Sequence, residues 1–161
     1  AAAARELLDE TLAELQASRS SEGERLRVMV LDRLESITGQ VNEVRKVVPS
    51  IVPDYRQRLA DRLADIQADL EPGRLEQELV VFANKADITE ELDRLESHIS
   101  EVRQAMASDK PVGRRLDFLM QEMNREANTM GSKAVDIRIT NAAVELKVLI
   151  EQIREQVQNI E

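Results

Sequence analysis

Hydrophobic side chains recur along this chain in steps of three and four, the spacing of one face of an α-helix. From Leu26 the stripe runs through Val30, Leu34, Ile37, Val41, Val44 and Val48. Ahead of it, Leu7, Leu8, Leu12 and Leu15 hold register within residues 1–17. Ser18-Arg19-Ser20-Ser21-Glu22-Gly23 weakens the pattern, either as a break or as a loose turn inside one long helix. Pro49 and Pro53 predict a disruption, with Pro53 suited to a helix start. A second helix then covers about 54–70 through Tyr55, Leu59, Leu63 and Ile66, and Glu71-Pro72-Gly73 reads as a turn. A third segment, 74–86, carries Leu75, Leu79 and the run Val80-Val81-Phe82. That run would suit a strand, but its flanks favour helix. A fourth helix, 87–106, opens with Asp87 and Glu90 at capping-box spacing. Its stripe is Ile88, Leu92, Leu95, Ile99, Val102 and Met106. A fifth begins at Gly113, with Gly131 expected as a left-handed cap. The last, 134–160, spaces Val135, Ile139, Ala142, Leu146, Leu149, Ile153, Val157 and Ile160 at near-heptad intervals.

These elements predict an all-α fold: an elongated antiparallel helical bundle with a long C-terminal helix. Residues 1–73 are expected as an N-terminal helical hairpin able to project, and 74–161 as a C-terminal helical domain. Composition agrees, with 42% hydrophobic residues, 33% charged and only 2% aromatic over 161 residues, so aliphatic side chains and Met must fill the core. The last helix would span roughly 40 Å. A globule of this size has a radius of gyration of about 15 Å, so oligomerisation through long helices is expected. The chain opens on Ala1-Ala2-Ala3-Ala4 and reads as part of a longer protein.

A net charge of −9 argues against a default nucleic-acid binder, so any such partner needs a local basic patch, a metal ion or a separate part of the protein. The absence of Cys excludes disulfides, zinc-thiolate sites and thiol nucleophiles. A single His excludes a multi-histidine metal site within one chain. No phosphate loop, HExxH motif, signal peptide or membrane-spanning apolar run occurs.

Two stretches carry candidate chemistry. In the fifth helix Leu116, Leu119, Met120, Met123, Ala127 and Met130 form one stripe, whereas Arg114, Asp117, Phe118, Gln121, Asn124, Arg125 and Asn128 lie opposite. Solvated helix faces favour Glu and Lys, so directional Arg, Asn and Gln point to a ligand or to polar packing against another helix. Arg grips phosphate through two bonds, and Phe118 could stack on a base. In the fourth helix Glu91, Arg94, His98 and Glu101 share one side. His98 and Glu101 could share an ion, and Mn²⁺ or Mg²⁺ takes carboxylate oxygens. The same residues would equally suit a solvated face with helical ion pairs.

Four blocks carry a resemblance. They are Arg74-Leu-Glu-Gln-Glu-Leu79, Asp87-Ile-Thr-Glu-Glu-Leu-Asp-Arg-Leu-Glu-Ser-His98, the run from Gly113-Arg-Arg-Leu-Asp-Phe to Met-Gly-Ser-Lys133, and the run from Glu145-Leu-Lys-Val to Gln-Asn-Ile-Glu161. They resemble the C-terminal half of the bacterial YicC/YloC proteins, over nearly the whole chain. The resemblance implies a cytoplasmic endoribonuclease cutting single-stranded RNA, not DNA, with a divalent metal (Mn²⁺ or Mg²⁺). It also implies a ring-like homo-oligomer, a hexamer, and a further N-terminal domain. Motif positions it brings forward include Glu78, Glu90, Arg94 and Glu126. The catalytic candidates are Glu91, His98, Arg114, Glu122 and Arg125. The RNA-binding candidates are Arg114, Arg115, Phe118, Gln121, Asn124, Arg125, Asn128 and Lys133, and the metal candidates Glu91, His98, Glu101 and Asp117. The alternative is a helical oligomerisation module with catalysis in the missing domain.

Overall fold

The computed structural model describes residues 2–65, 73–108 and 110–158. Five helices and no strand occur among them: α1 (Ala2–Asp65), α2 (Arg74–Ala86), α3 (Thr89–Met106), α4 (Gly113–Lys133) and α5 (Ile137–Gln158). The expected elongated antiparallel arrangement is present. Arg45 of α1 meets Asp93 and Glu96 of α3, whereas Arg103 meets Glu35, so the two helices run in opposite directions. Contacts of Arg33 with Gln152 and of Arg138 with Asp54 set α5 antiparallel to α1. Pairs 94–126 and 91–133 do the same for α3 and α4. Four helices therefore close a ring of neighbours, α1–α3–α4–α5, with α2 laid against α1.

The stripes read from sequence become the core. Val30, Leu34, Ile37, Val41 and Val44 of α1 face Leu92, Leu95, Ile99 and Val102 of α3, Leu116, Leu119, Met120 and Met123 of α4, and Ile139, Leu146, Ile150 and Ile153 of α5, all nearly or fully buried. Burying one such side chain contributes about 1.5–3 kcal/mol, so the α-helical spacing of apolar positions dominates the energetics.

The prolines do not break the first helix as expected. α1 runs through Pro49 and Pro53 for 64 residues, about 96 Å. Each internal proline removes a hydrogen bond and costs about 3 kcal/mol. Both rings are on the exposed side, while Val44 and Ile51, on the same stretch, are buried. Apolar burial flanking the prolines offsets the local cost and keeps the helix going. In place of a hairpin over 1–73, the described residues form this single helix. Its residues 3–25 are all exposed, leucines included, so the first third of α1 stands clear of the bundle. Ser18–Gly23 stays helical, and the run 54–65 is the end of α1 instead of a separate helix. Ile66, Leu70, Glu71, Pro72 and Ile160 lie outside the described residues.

Smaller expectations divide. Val80-Val81-Phe82 is helical, and Phe82 stacks on Tyr55 of α1 with centroids 3.7 Å apart. Asp87 accepts a hydrogen bond from the Thr89 N–H at 2.9 Å, but Glu90 turns to Arg94, so the capping box is half made. Gly131 is not a left-handed cap. It lies inside α4 facing α5, where an added Cβ would meet Ala143 Cβ at 3.4 Å, about van der Waals contact. Gly73, with φ of 87°, takes the left-handed role at the start of α2.

Asp136 starts α5. It accepts the Arg138 N–H at 2.8 Å and its guanidinium at 2.8 and 2.9 Å. The Arg138 side chain, first of all, holds the carboxyl down from 3.8 to about 2. Because the folded-state value is lower than the unfolded one, this stabilisation is present above about pH 5 and is lost as pH falls through 4 towards 2. Asp136→Ala should therefore cost about 1–2 kcal/mol at neutral pH. The gap from wild type should narrow from about pH 4 and close only below pH 2 in urea titrations, and a gap independent of pH would contradict the capping role.

Candidate functional site

The apolar stripes bring α3 and α4 together, and the residues flanking those stripes form a polar seam. Antiparallel pairing makes it a ladder: Glu91 with Lys133, Arg94 with Glu126, His98 with Glu122 and Glu126, and Glu101 with Arg115. Two carboxylates in it are buried, Glu91 and Glu126. Burying an ion costs several kcal/mol unless a partner and hydrogen bonds compensate.

At the centre, a nitrogen of His98 and carboxylate oxygens of Glu122 and Glu126 all lie within 4.8 Å of one another. Glu122 and Glu126 are four apart on α4, where two carboxylates face the same side and repel. His98 Nδ1 is buried with no hydrogen-bond partner, and Glu101 Oε1 is its nearest carboxylate atom at 3.7 Å. An imidazole nitrogen gathered within 4.8 Å of two carboxylate oxygens is a donor set that suits Mn²⁺ and, through its oxygens, Mg²⁺. The residues present thus fit a divalent cation.

The other expected metal residues go elsewhere. Glu91 Oε1 accepts a hydrogen bond from Lys133 Nζ at 2.7 Å and its Oε2 is buried without a partner. Glu91 is seven residues from His98 on α3, roughly 10 Å along the axis. Asp117 accepts hydrogen bonds from Gln121 at 2.8 Å and from Arg154 and Gln158 at 3.3 Å each. The Gln158 contact, then Arg154, holds its carboxyl below the usual carboxylate range. Glu101 stays beside His98 but also pairs with Arg115 at 3.6 Å.

On the outer side of α4, Gln121, Asn124, Arg125, Asn128 and Thr129, with Arg154 from α5, line a shallow groove of about 410 Å³. Arg125 stands on the ridge between groove and cluster, with Nη1 at 3.9 Å from Glu122 Oε2. Phe118 is 57% exposed on the same helix. Arg114 is exposed at the start of α4, with no ion pair to any described residue. The structure thus brings Gln121, Asn124, Arg125 and Asn128 together, leaves Arg114 out of the groove, and commits Lys133 to Glu91.

Sequence reasoning missed Arg154 and Thr129 in the groove, and gave Glu126 no ligand role. The i, i+4 repeat of Glu122 and Glu126 was the available signal for the latter. No comparable signal pointed to Arg154, because which residue of α5 reaches Asp117 depends on the α4–α5 register.

The family model described as "Endoribonuclease YicC-like, C-terminal" matches residues 44–161, which include every residue of this seam and groove. The chain belongs to the YicC-like endoribonuclease family. It is 46% identical over 153 residues to a protein of Haemophilus influenzae named probable endoribonuclease YicC, covering 95% of this chain and 53% of that protein. It is 42% identical over 157 residues to a protein of the same name from Clostridioides difficile, covering 96% of this chain and 54% of that one. The chain thus spans about half the length of these curated YicC relatives.

The Glu91–Lys133 pair sits on the outer rung of the seam, where α3 begins and α4 ends. Lys133→Met should strand a buried carboxylate and cost about 2–3 kcal/mol, discounted from the fully buried case because Lys133 is 35% exposed. Adding Glu91→Leu should recover most of that loss. A single variant that melts like wild type would show the pair contributes nothing.

Proposed function

We propose that this chain is the metal-holding and RNA-gripping part of a cytoplasmic endoribonuclease that cleaves single-stranded RNA and depends on a divalent cation, Mn²⁺ or Mg²⁺. The relatives' name supports the reaction class. The observation that carries the site is the convergence of His98, Glu122 and Glu126 beside the Arg125 groove. In place of Glu91, Glu101 and Asp117, those three residues are the proposed metal ligands. A bound divalent ion would supply Lewis-acid stabilisation of phosphate charge. The protein's own contribution is to fix the three donors on two rigidly packed helices and to place Arg125 between donors and groove. Arg125 and Arg154 would hold backbone phosphates, while Gln121, Asn124 and Asn128 supply directional hydrogen bonds to sugar, phosphate or base edges. Phe118, exposed on the same helix, offers a stacking platform that only unpaired bases can use, which favours single-stranded substrate.

Self-association into a ring, the hexamer expected by resemblance, is part of the proposal. The exposed Leu7, Leu8, Leu12 and Leu15 on the free third of α1 support it, because a helix turning apolar side chains to water gains by pairing.

The test uses the full-length protein and a single-stranded RNA. Cleavage should need Mn²⁺ or Mg²⁺ and stop with EDTA. His98→Ala should weaken Mn²⁺ binding, read by electron paramagnetic resonance, at least tenfold, with melting temperature within a few degrees of wild type. Arg125→Lys keeps charge but loses the planar fork, and should lower cleavage about tenfold, or 1.4 kcal/mol of transition-state stabilisation. Full activity in EDTA would remove the metal reading. If His98→Ala and Arg125→Lys both cleave normally, this half is a scaffold and the chemistry lies in the other half.

A further inference from the structure

Arg94 is the cation built into the cluster. Its Nη1 donates to Glu126 Oε1 at 3.2 Å, and its Nη2 donates to Glu90. Glu126 is one of the three converging donors and its side chain is only 5% exposed, whereas the Arg94 side chain is 52% exposed. The guanidinium is therefore anchored on its inner side by a buried carboxylate and open to solvent on its outer side. A guanidinium has five N–H donors in one plane. Two are used here, so three remain to face whatever approaches the cluster. Arg125, the other arginine near these donors, is 72% exposed and only 3.9 Å from Glu122, a looser tether. Arg114 has none.

Resting on the metal and RNA reading above, we infer that Arg94 contacts the phosphate being cleaved. With Glu90 as its positioning residue, it stabilises the negative charge that builds on the non-bridging oxygens. The charges favour this. Glu90, Glu122 and Glu126 together carry three negative charges, which a divalent ion and the Arg94 guanidinium balance. A phosphodiester arriving over the cluster adds one further negative charge, which draws the unused N–H donors of Arg94, the anchored cation at that spot, away from full pairing with the carboxylates. Once another cation shares Glu126, the pull of that carboxylate on Arg94 weakens and the fork is freer to accept phosphate. Arg94 transfers no proton and forms no covalent bond in this role. It supplies a preorganised charge, which acts where charge develops in the transition state.

The experiment compares wild-type, Arg94→Ala, Arg94→Lys and Glu90→Gln versions of the full-length protein. Arg94→Ala should cleave single-stranded RNA at least tenfold more slowly, mainly in kcat, and millimolar guanidinium should restore part of the rate. Arg94→Lys should recover the melting temperature but less than half of the rate, and Glu90→Gln should fall between it and wild type. As a readout apart from cleavage, the log–log salt dependence of RNA binding in EDTA should lose about 0.7 in slope for Arg94→Ala, the value for one phosphate contact on a single strand. Wild-type cleavage matched by Arg94→Ala, with the slope unchanged, overturns the inference and leaves the proposed function standing. Full recovery by Arg94→Lys with no guanidinium rescue also overturns it, because Arg94 would then only neutralise Glu126. If the wild-type protein neither binds Mn²⁺ nor cleaves, the site reading fails and this inference with it.

Discussion

Two carboxylates, Glu91 and Glu126, are buried where α3 packs against α4, and the organisation of the site follows from how they are compensated. Desolvating them costs several kcal/mol each, more than any single apolar contact in the bundle returns. Lys133 answers the first and Arg94 the second. These pairs form only in one register of α3 against α4, so the polar seam selects an alignment that the Leu, Ile and Met stripes alone would fix less tightly. That same register sets His98 opposite Glu122 and Glu126.

The seam is asymmetric in a way that separates structure from chemistry. At its outer rung Glu91 and Lys133 make a compact pair at 2.7 Å. At its centre a nitrogen of His98 is buried without a partner and two carboxylates share one side of α4. Two carboxylates four residues apart on one helix repel, and an imidazole nitrogen gathered with them is better explained by a shared cation than by stability alone. The groove on the outer face of α4 adds amides and guanidiniums within the same two helical turns. Under the proposed function, the net charge of −9 is met locally by Arg125 and Arg154, which line the groove.

Much of this was legible in the sequence. Helical spacing identified the core face of α3 through Leu92, Leu95, Ile99 and Val102, and all four are buried. It also set Phe118 and Arg125 on the exposed side of α4. It failed at Pro49 and Pro53, where local propensity predicted a break that burial of Val44 and Ile51 overrides, and at Gly131, which stays helical instead of capping α4. His98 was read as a candidate from its own helix, and Glu122 was brought forward by the family resemblance. Their meeting with Glu126 was not legible, because spacing along one helix says which residues share a face but not which face of another helix they meet. Glu91 and Asp117 were metal candidates and Glu126 was not, because their partners Lys133 and Arg154 lie on other helices.

The central claim is that His98, Glu122 and Glu126 form one divalent-cation site. A crystal structure of the full-length protein grown with Mn²⁺, with data at the manganese absorption edge, tests it directly. The account predicts an anomalous peak bonded to all three side chains, roughly 2.0–2.3 Å from its donor atoms. A peak coordinated by Glu91 or Asp117 instead, or none between α3 and α4 at millimolar Mn²⁺, would contradict it.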